Sequence, residues 1–362
     1  MGAPYEHQVD DLGVRVAQVL EDVVPGGAWQ APFVGPEAAF RNKAKLVVAG
    51  SREEPTFGIL DADRRGVALP ECGLYEPSLA AALDRLVPAV TDLGLVPFDV
   101  PGRQGELKHL IVTGSPDGET MVRFVLRSPG QLGRIRRGLE RLHAAEPGLR
   151  VVSVNIQPEH KAVLEGEEEI VLTEADTLPM RLGDITFHLR PRSFFQTNTV
   201  VAGALYRQAR DWVEEVGPTS VLDLYCGVGG FALNAAMAKG VAPRRVEGVE
   251  VAPDAVASAR RSAAELGVPA DFRVGDARAL TALGHDLVIV NPPRRGIGSD
   301  LCAAIESAAP AHLVYSSCRA SSLARDLAAL PGYRVTRARL FDMFPQTEHV
   351  EVMVLAERVT GR

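Results

Sequence analysis

Cys318 in YSSCRASSLARDL and Glu351 in TEHVEVMVL are the residues whose types and settings most invite chemistry. Cys318 closes an apolar strand pattern and precedes a helical one. A cysteine in that position is, by base rate, more often a small buried hydrophobe than a nucleophile. Ser316, Ser317 and Arg319 make these surroundings polar, however, and the positive N-terminal end of the following helix is expected to lower the thiol pKa and favour thiolate. Glu351 starts the last long apolar strand pattern. A carboxylate there is costly unless exposed or paired, so it is either an edge residue or a working group.

A second constellation lies earlier in the chain. The strand pattern VLDLY runs into CGVGGF and then a helix, so Asp223 ends the strand and Gly227, Gly229 and Gly230 make the turn. Glycines there allow positive φ and let a ligand approach the backbone. One GxGG is weak alone, because tight turns and dinucleotide enzymes use the same device, although CGVGGF does not match the usual GxGxxG. Glu250 ends the next strand pattern, where an acid can accept both hydroxyls of a ribose. Asp276 in VGDA follows the third, positioned for the amine of an adenine. A glycine turn and two acids on three successive strand ends resemble class I S-adenosylmethionine methyltransferases.

The elements that must hold these residues are legible as patterns. At 362 residues, nearly half of them apolar, the chain is long enough for two packed domains. Residues 1–30 read as an N-terminal helical remnant. From 31 to 185, short alternating strands such as KAKLVVAG, LKHLIVTGS and ETMVRFVLRS, with helical patterns at SLAAALDRLVPAV and in GRIRRGLERLH, predict an α+β domain on an antiparallel sheet. From 186 to 362 apolar strands alternate with helices, which predicts an α/β, Rossmann-like domain with a parallel sheet and a ligand at the carboxyl ends of its strands. No run approaches the ~20 apolar residues of a membrane span. The four scattered cysteines form no CxxC pair, which fits a reducing, cytoplasmic setting. A formal charge of −7 excludes a general nucleic-acid glue. Two local basic stretches stand out, Arg41, Lys43 and Lys45 in one, Arg134, Arg136, Arg137 and Arg141 in the other. Each reads equally as a solvated surface.

Taken together, RNKAK, SFFQTN, DLYCGVGGF, NPPRRGIG, YSSC and DMFPQTEHVE resemble the RNA uracil-5-methyltransferase family, in particular its 23S ribosomal RNA branch. The resemblance runs from about residue 28 to 357 and implies methylation of carbon 5 of a uridine in RNA, most specifically 23S rRNA, with no DNA or membrane partner. Cys318 would be the nucleophile that adds to carbon 6 and Glu351 the base that removes the carbon 5 proton. Gln196, Asp223, Tyr225, Gly227, Gly229, Glu250, Asp276 and Asn291 would bind S-adenosyl-L-methionine, with Asn291 also on the uracil. The alternative for Gln196 is a helix-entry residue, with Thr197 or Asn198 as the cap.

The chain also departs from the family. Asn291 replaces the Asp of the commoner DPPR, and can still hydrogen-bond a base edge through its donor and acceptor. Arg319 and Gln346 stand where relatives usually have Asn and often His. The 23S branch typically carries four cysteines for a [4Fe–4S] cluster, three near the start and one in a segment like ALPECGLYEP. Only Cys72 of that set is present, so a cluster is expected only in a longer form with an upstream CxxC, and no metal site is expected here. Two other functions fit parts of the pattern: methylation of an amino group or of tRNA uridine, NPP-type motifs serving amino groups too, and a non-catalytic RNA-binding protein with a degenerate cofactor pocket.

Overall fold

The computed structural model describes residues 4–160, 164–240, 244–280 and 283–359; the extreme ends of the expected first and last domains lie outside them. The chain forms two compact units: an α+β unit of Ala38–Arg181 and Leu189–Arg192, and an α/β unit of the residues up to Glu37, Leu182–His188 and everything from Ser193 onward. Helix α1 (Tyr5–Val19) opens the α/β unit.

The α+β unit contains β1 (Lys43–Gly50), β2 (Pro55–Leu60), β3 (Gly66–Ala68), α2 (Pro77–Thr91), β4 (Leu107–Gly114), β5 (Thr120–Leu126), α3 (Leu132–Arg137), α4 (Leu139–Ala145), β6 (Leu149–Ile156) and β7 (Glu168–Val171). Its sheet has the order β3-β2-β1-β4-β5-β6-β7. Alternation in β1 turns Ala44, Leu46 and Val48 to one face, where they join Val122 and Phe124 of β5 against Leu79, Leu83 and Leu86 of α2. The predicted antiparallel sheet needs one correction, since β5 and β6 are parallel. The arginine-rich segment folds as α3 and α4 between them, and a crossover of that length is what a parallel pair requires. The two basic stretches therefore differ. Arg134, Arg136, Arg137 and Arg141 are exposed on α3 and α4, whereas Lys43 is part-buried on the sheet, where desolvation and neighbouring Lys45 push its ammonium down to about 8.

A short hairpin, β8 (Leu178–Leu182) and β9 (Ile185–Leu189), falls where the chain passes between units. The α/β unit then runs through α5 (Thr199–Val216), β10 (Ser220–Leu224), α6 (Gly230–Ala236), β11 (Arg245–Glu250), α7 (Pro253–Leu266), β12 (Ala270–Val274), β13 (Leu287–Val290), α8 (Gly298–Ala308), β14 (His312–Ser317), α9 (Ala320–Ala328), β15 (Tyr333–Phe341) and β16 (Glu351–Arg358). The sheet order is β12-β11-β10-β13-β14-β16-β15. Strands β10 to β14 pair in parallel, as expected, but β16 is antiparallel to both its neighbours. Residues 342–350 join β15 to β16 with no crossover helix, so the last strand returns in the opposite direction.

Residues 4–37 belong to the α/β unit rather than to a separate remnant. Beside β15, the Gln30 and Phe33 amides donate to Ala338 O and Leu340 O, each at 2.8 Å, and Asp342 N–H donates to Phe33 O at 3.0 Å. This covers an edge that would otherwise present unpaired groups. Leu12 and Val16 of α1 join the same core as Leu323 and Leu327 of α9. These bonds and buried side chains are why the expected division after residue 30 falls after Glu37.

Candidate active site

The carboxyl ends of β10 to β14 converge on one edge of the α/β sheet, and the reversal of β16 brings its start to that same edge. Asp223, within β10, is fully buried. Its Oδ2 accepts the Ala232 amide at 2.9 Å, while Oδ1 has no partner in the structure. Desolvation pushes this carboxyl up to about 8. The chain then turns through Tyr225, Gly227 and Gly229 at φ of 64°, 54° and 90°. Tyr225 is a bulky residue in the left-handed region, a strained geometry of the kind found at binding sites. Gly230 has a different constraint: a Cβ there would lie 2.5 Å from the Tyr206 ring.

Glu250 braces this turn from the end of β11. Its Oε2 accepts Gly227 N–H at 3.1 Å and its Oε1 accepts Ala252 N–H at 3.0 Å. Asp276, beyond β12, is less free than its place in the sequence suggests. Arg278 donates to both its oxygens, Nε to Oδ1 at 3.0 Å and Nη2 to Oδ2 at 2.7 Å, and holds the carboxyl down at about 2. Asn291 lies one residue past β13, half-buried, with its backbone N–H donating to Leu224 O at 3.4 Å. Gln196 is buried in the segment entering α5. The cap of that helix is Asn198, whose Oδ1 accepts Val201 N–H at 3.1 Å and whose Nδ2 donates to Met343 O at 3.3 Å.

Cys318 and Glu351 come together through strand register. Ser316 pairs with Met353 and Ser317 with Val352, so the next step sets Cys318 opposite Glu351. Side chains alternate along a strand, which puts Ser316, Cys318 and Glu351 on one face. Ser316 Oγ donates to Glu351 Oε1 at 2.5 Å. Glu351 is no edge residue: β16 lies between β14 and β15, and the side chain is 2% exposed. Burial raises its carboxyl to about 7, with the Ser316 hydrogen bond opposing.

The expected lowering of the Cys318 pKa is not found. Desolvation and then the nearby Glu351 raise it, and the positive charge of Arg294 only partly offsets them. The start of α9 two residues on does not outweigh burial. Arg294, in NPPRRG, is thus a site residue that sequence reasoning passed over. So is Tyr206, whose phenol burial, Asp223 and Glu351 together raise far above its usual pKa. Phe194 is 74% exposed while its neighbour Phe195 is buried. Its signal was the FF pair itself, since only one of two adjacent aromatics can turn inward from an extended segment.

The sequence profile of the family described as tRNA (Uracil-5-)-methyltransferase matches residues 166–359. The chain belongs to this family. It is 46% identical over 365 residues to the 23S rRNA (uracil(747)-C(5))-methyltransferase RlmC of Halothiobacillus neapolitanus, covering 98% of this chain and 95% of that protein. With the enzyme of the same name from Shigella dysenteriae it shares 47% identity over 361 residues, with 98% and 95% covered. Its fold is similar to the crystal structure of Pyrococcus abyssi tRNA (uracil-54, C5)-methyltransferase in complex with S-adenosyl-L-homocysteine, with a TM-score of 0.81, 25% identity, and 98% of this chain and 83% of that one covered.

Asp223, with its orphaned buried oxygen beside a glycine turn, suits the cationic methionine end of S-adenosylmethionine. An iron–sulfur cluster does not fit. The four cysteines are free, Cys72 is the sole one in the α+β unit, and among the described residues no group of three or more His, Cys, Asp or Glu could hold a metal. No helix among them is long and apolar enough to cross a membrane.

Proposed function

We propose that this protein transfers the methyl group of S-adenosyl-L-methionine to carbon 5 of a uridine in 23S ribosomal RNA, giving 5-methyluridine through a covalent bond between Cys318 and carbon 6. The observation that carries the reading is that Cys318, one residue past the end of β14, lies near buried Glu351 at the start of the antiparallel neighbour β16, at the same sheet edge as the glycine turn and Glu250.

The chemistry explains why both groups are needed. Carbon 5 of uracil is too weak a nucleophile to take a methyl group unaided, and covalent catalysis divides the difficulty. The Cys318 thiolate adds to carbon 6, and the electrons of the 5,6 double bond move towards the carbon 4 carbonyl. The sulfonium of the donor supplies an electrophilic methyl group, which carbon 5 takes. Glu351 then removes the carbon 5 proton, the double bond re-forms and the thiolate leaves. A carboxyl with a pKa near 7 suits this proton transfer at neutral pH. Arg294 on the thiol supports thiolate formation in a site where burial opposes it.

Glu250 and Gly227 would hold the ribose, Asp223 the methionine end, Tyr225, Gly229 and Gln196 the rest of the donor, and Asp276, once Arg278 yields, the adenine. Asn291 would hold the uracil edge, and exposed Phe194 offers an aromatic face on which an unstacked base can rest. The α+β unit is the RNA-recognition domain in this account, with the arginines of α3 and α4 meeting phosphates. Methylation of an amino group would leave Cys318 and its pairing with Glu351 without a purpose.

Mapping 5-methyluridine in the 23S rRNA of a strain lacking the gene tests this reading. The modification should vanish at one site, at the position corresponding to 747 in the relatives' names, and return with the wild-type gene. An unchanged map would overturn it.

A further inference from the structure

Helix α9, which follows the proposed nucleophile, grips the backbone of the NPPRRGIG loop with one face. Ser322, Arg325 and Asp326 are spaced i, i+3 and i+4, so their side chains point the same way. Ser322 Oγ donates to Arg294 O at 2.7 Å. Arg325 Nη2 donates to Arg295 O at 2.5 Å and to Asp326 Oδ1 at 3.1 Å. The buried Asp326 carboxylate accepts Ile297 N–H and the Tyr315 hydroxyl on Oδ2, each at 2.7 Å. Gly296, at φ 81°, lies so close that a Cβ would meet Asp326 Oδ2 at 2.1 Å. Tyr315 belongs to β14, three residues before Cys318. The strand that leads to the thiol, the helix after it and the loop that carries Asn291 and Arg294 are therefore tied at loop residues 294, 295 and 297.

A bland structural pin would need one such bond. Here three side chains bind the backbone at 294, 295 and 297, the stretch that begins with the arginine whose charge favours the Cys318 thiolate. We infer that Ser322, Arg325 and Asp326 are positioning residues for the methylation reaction, which hold the 294–297 backbone so that the Arg294 guanidinium stays on Cys318 and Asn291 stays at the base edge. The inference rests on the proposed roles of Cys318 and Asn291. Asp326 serves as the hub, because its two oxygens join β14, α9 and the loop, and a buried carboxylate satisfied this fully has one geometry.

The test reads the thiol itself, with neither RNA nor methyl donor present. Cys318 alkylation by iodoacetamide is followed by peptide mass spectrometry from pH 6 to 10. The charged groups facing the thiol are Glu351 from β16 and Arg294 from the loop, with exposed Arg319 beside it, and all variants below keep Glu351 and Arg319. Arg294→Ala should slow alkylation at pH 8 by about threefold or more, equivalent to half a pK unit. Ser322→Ala/Arg325→Ala should slow it comparably with the melting temperature little changed, and the triple variant should be no slower than Arg294→Ala alone. Arg325→Ala alone, whose side chain is largely exposed, should show a smaller slowing in the same direction even if the double variant folds poorly. Parental alkylation in both the double and the Arg325→Ala variants, or a triple variant slowed by the product of the separate effects, would overturn the inference. Failure to find 5-methyluridine would leave this coupling intact and count against the functional reading alone.

Discussion

Asp223 and Glu351 are buried carboxyls whose protonation the fold itself favours. Desolvation raises Asp223 to about 8 and Glu351 to about 7, far above the unfolded values. A raised carboxyl pKa means that the folded state binds more protons than the unfolded one, so stability declines as pH rises from about 4 towards the folded pKa and levels off above it. Asp223→Asn keeps a carbonyl for the Ala232 amide and removes the charge. The variant should therefore melt higher than the parent at pH 8 and differ little at pH 4.5, while losing the stabilisation that S-adenosylhomocysteine gives the parent. Thermal melts at both pH values, with and without that ligand, check it; a variant equally destabilised at both would contradict the assignment. Glu351 has a kinetic signature as well. The single-turnover rate at which the methylated adduct resolves to free 5-methyluridine should rise with pH through about 7 as its base form appears, and Ser316→Ala, which removes an opposing hydrogen bond, should move that limb to higher pH.

The elements matter because each brings a strand end or helix start to one edge of the sheet. The glycine turn packs with no slack: at Gly230 an added methyl would overlap Tyr206, itself close to Asp223 and Glu351. Gly230→Ala should cost about 1–3 kcal/mol in urea unfolding and weaken donor binding, whereas Gly13→Ala, in open space on α1, should not destabilise. A Gly230 variant with parental stability and affinity would refute the packing argument. Strand and helix positions were legible from periodicity, and so was the order of the acids on β10, β11 and β12. Direction was not. Strand β16 reads as one more apolar strand, and only the pairing with β14 reveals that it runs backwards and puts Glu351 beside Cys318. Nor was the thiol's environment legible, because the nearby helix start could be read from the sequence while burial and the Glu351 charge could not. Arg294 and Tyr206 were missed for a related reason: the groups they influence, Cys318 for one and Asp223 and Glu351 for the other, are distant in sequence.

At the scale of the whole molecule, an acidic protein must engage a polyanion through local surfaces. The formal charge of −7 opposes association at long range, while Arg134, Arg136 and Arg137 are exposed together on the short helix α3. If these arginines meet phosphates, reversing all three to Glu should weaken RNA binding and flatten its salt dependence, by roughly 0.7–0.9 in the slope of log K against log salt for each phosphate no longer neutralised. Filter binding across a salt series measures this, and S-adenosylhomocysteine affinity, which belongs to the other unit, should stay unchanged. An unaltered slope would move the RNA surface elsewhere on the α+β unit.

The central claim is covalent methylation of carbon 5, and the most direct measurement is denaturing electrophoresis of the protein after reaction with a 23S rRNA fragment and the methyl donor. Glu351→Gln keeps the nucleophile but not the base, so addition and methyl transfer proceed, proton removal fails, and the protein should accumulate as a stable adduct carrying methylated RNA. Cys318→Ala should give neither adduct nor product. The account would be contradicted by a Cys318→Ala variant that still methylates, or by a Glu351→Gln variant that turns over normally and leaves no adduct.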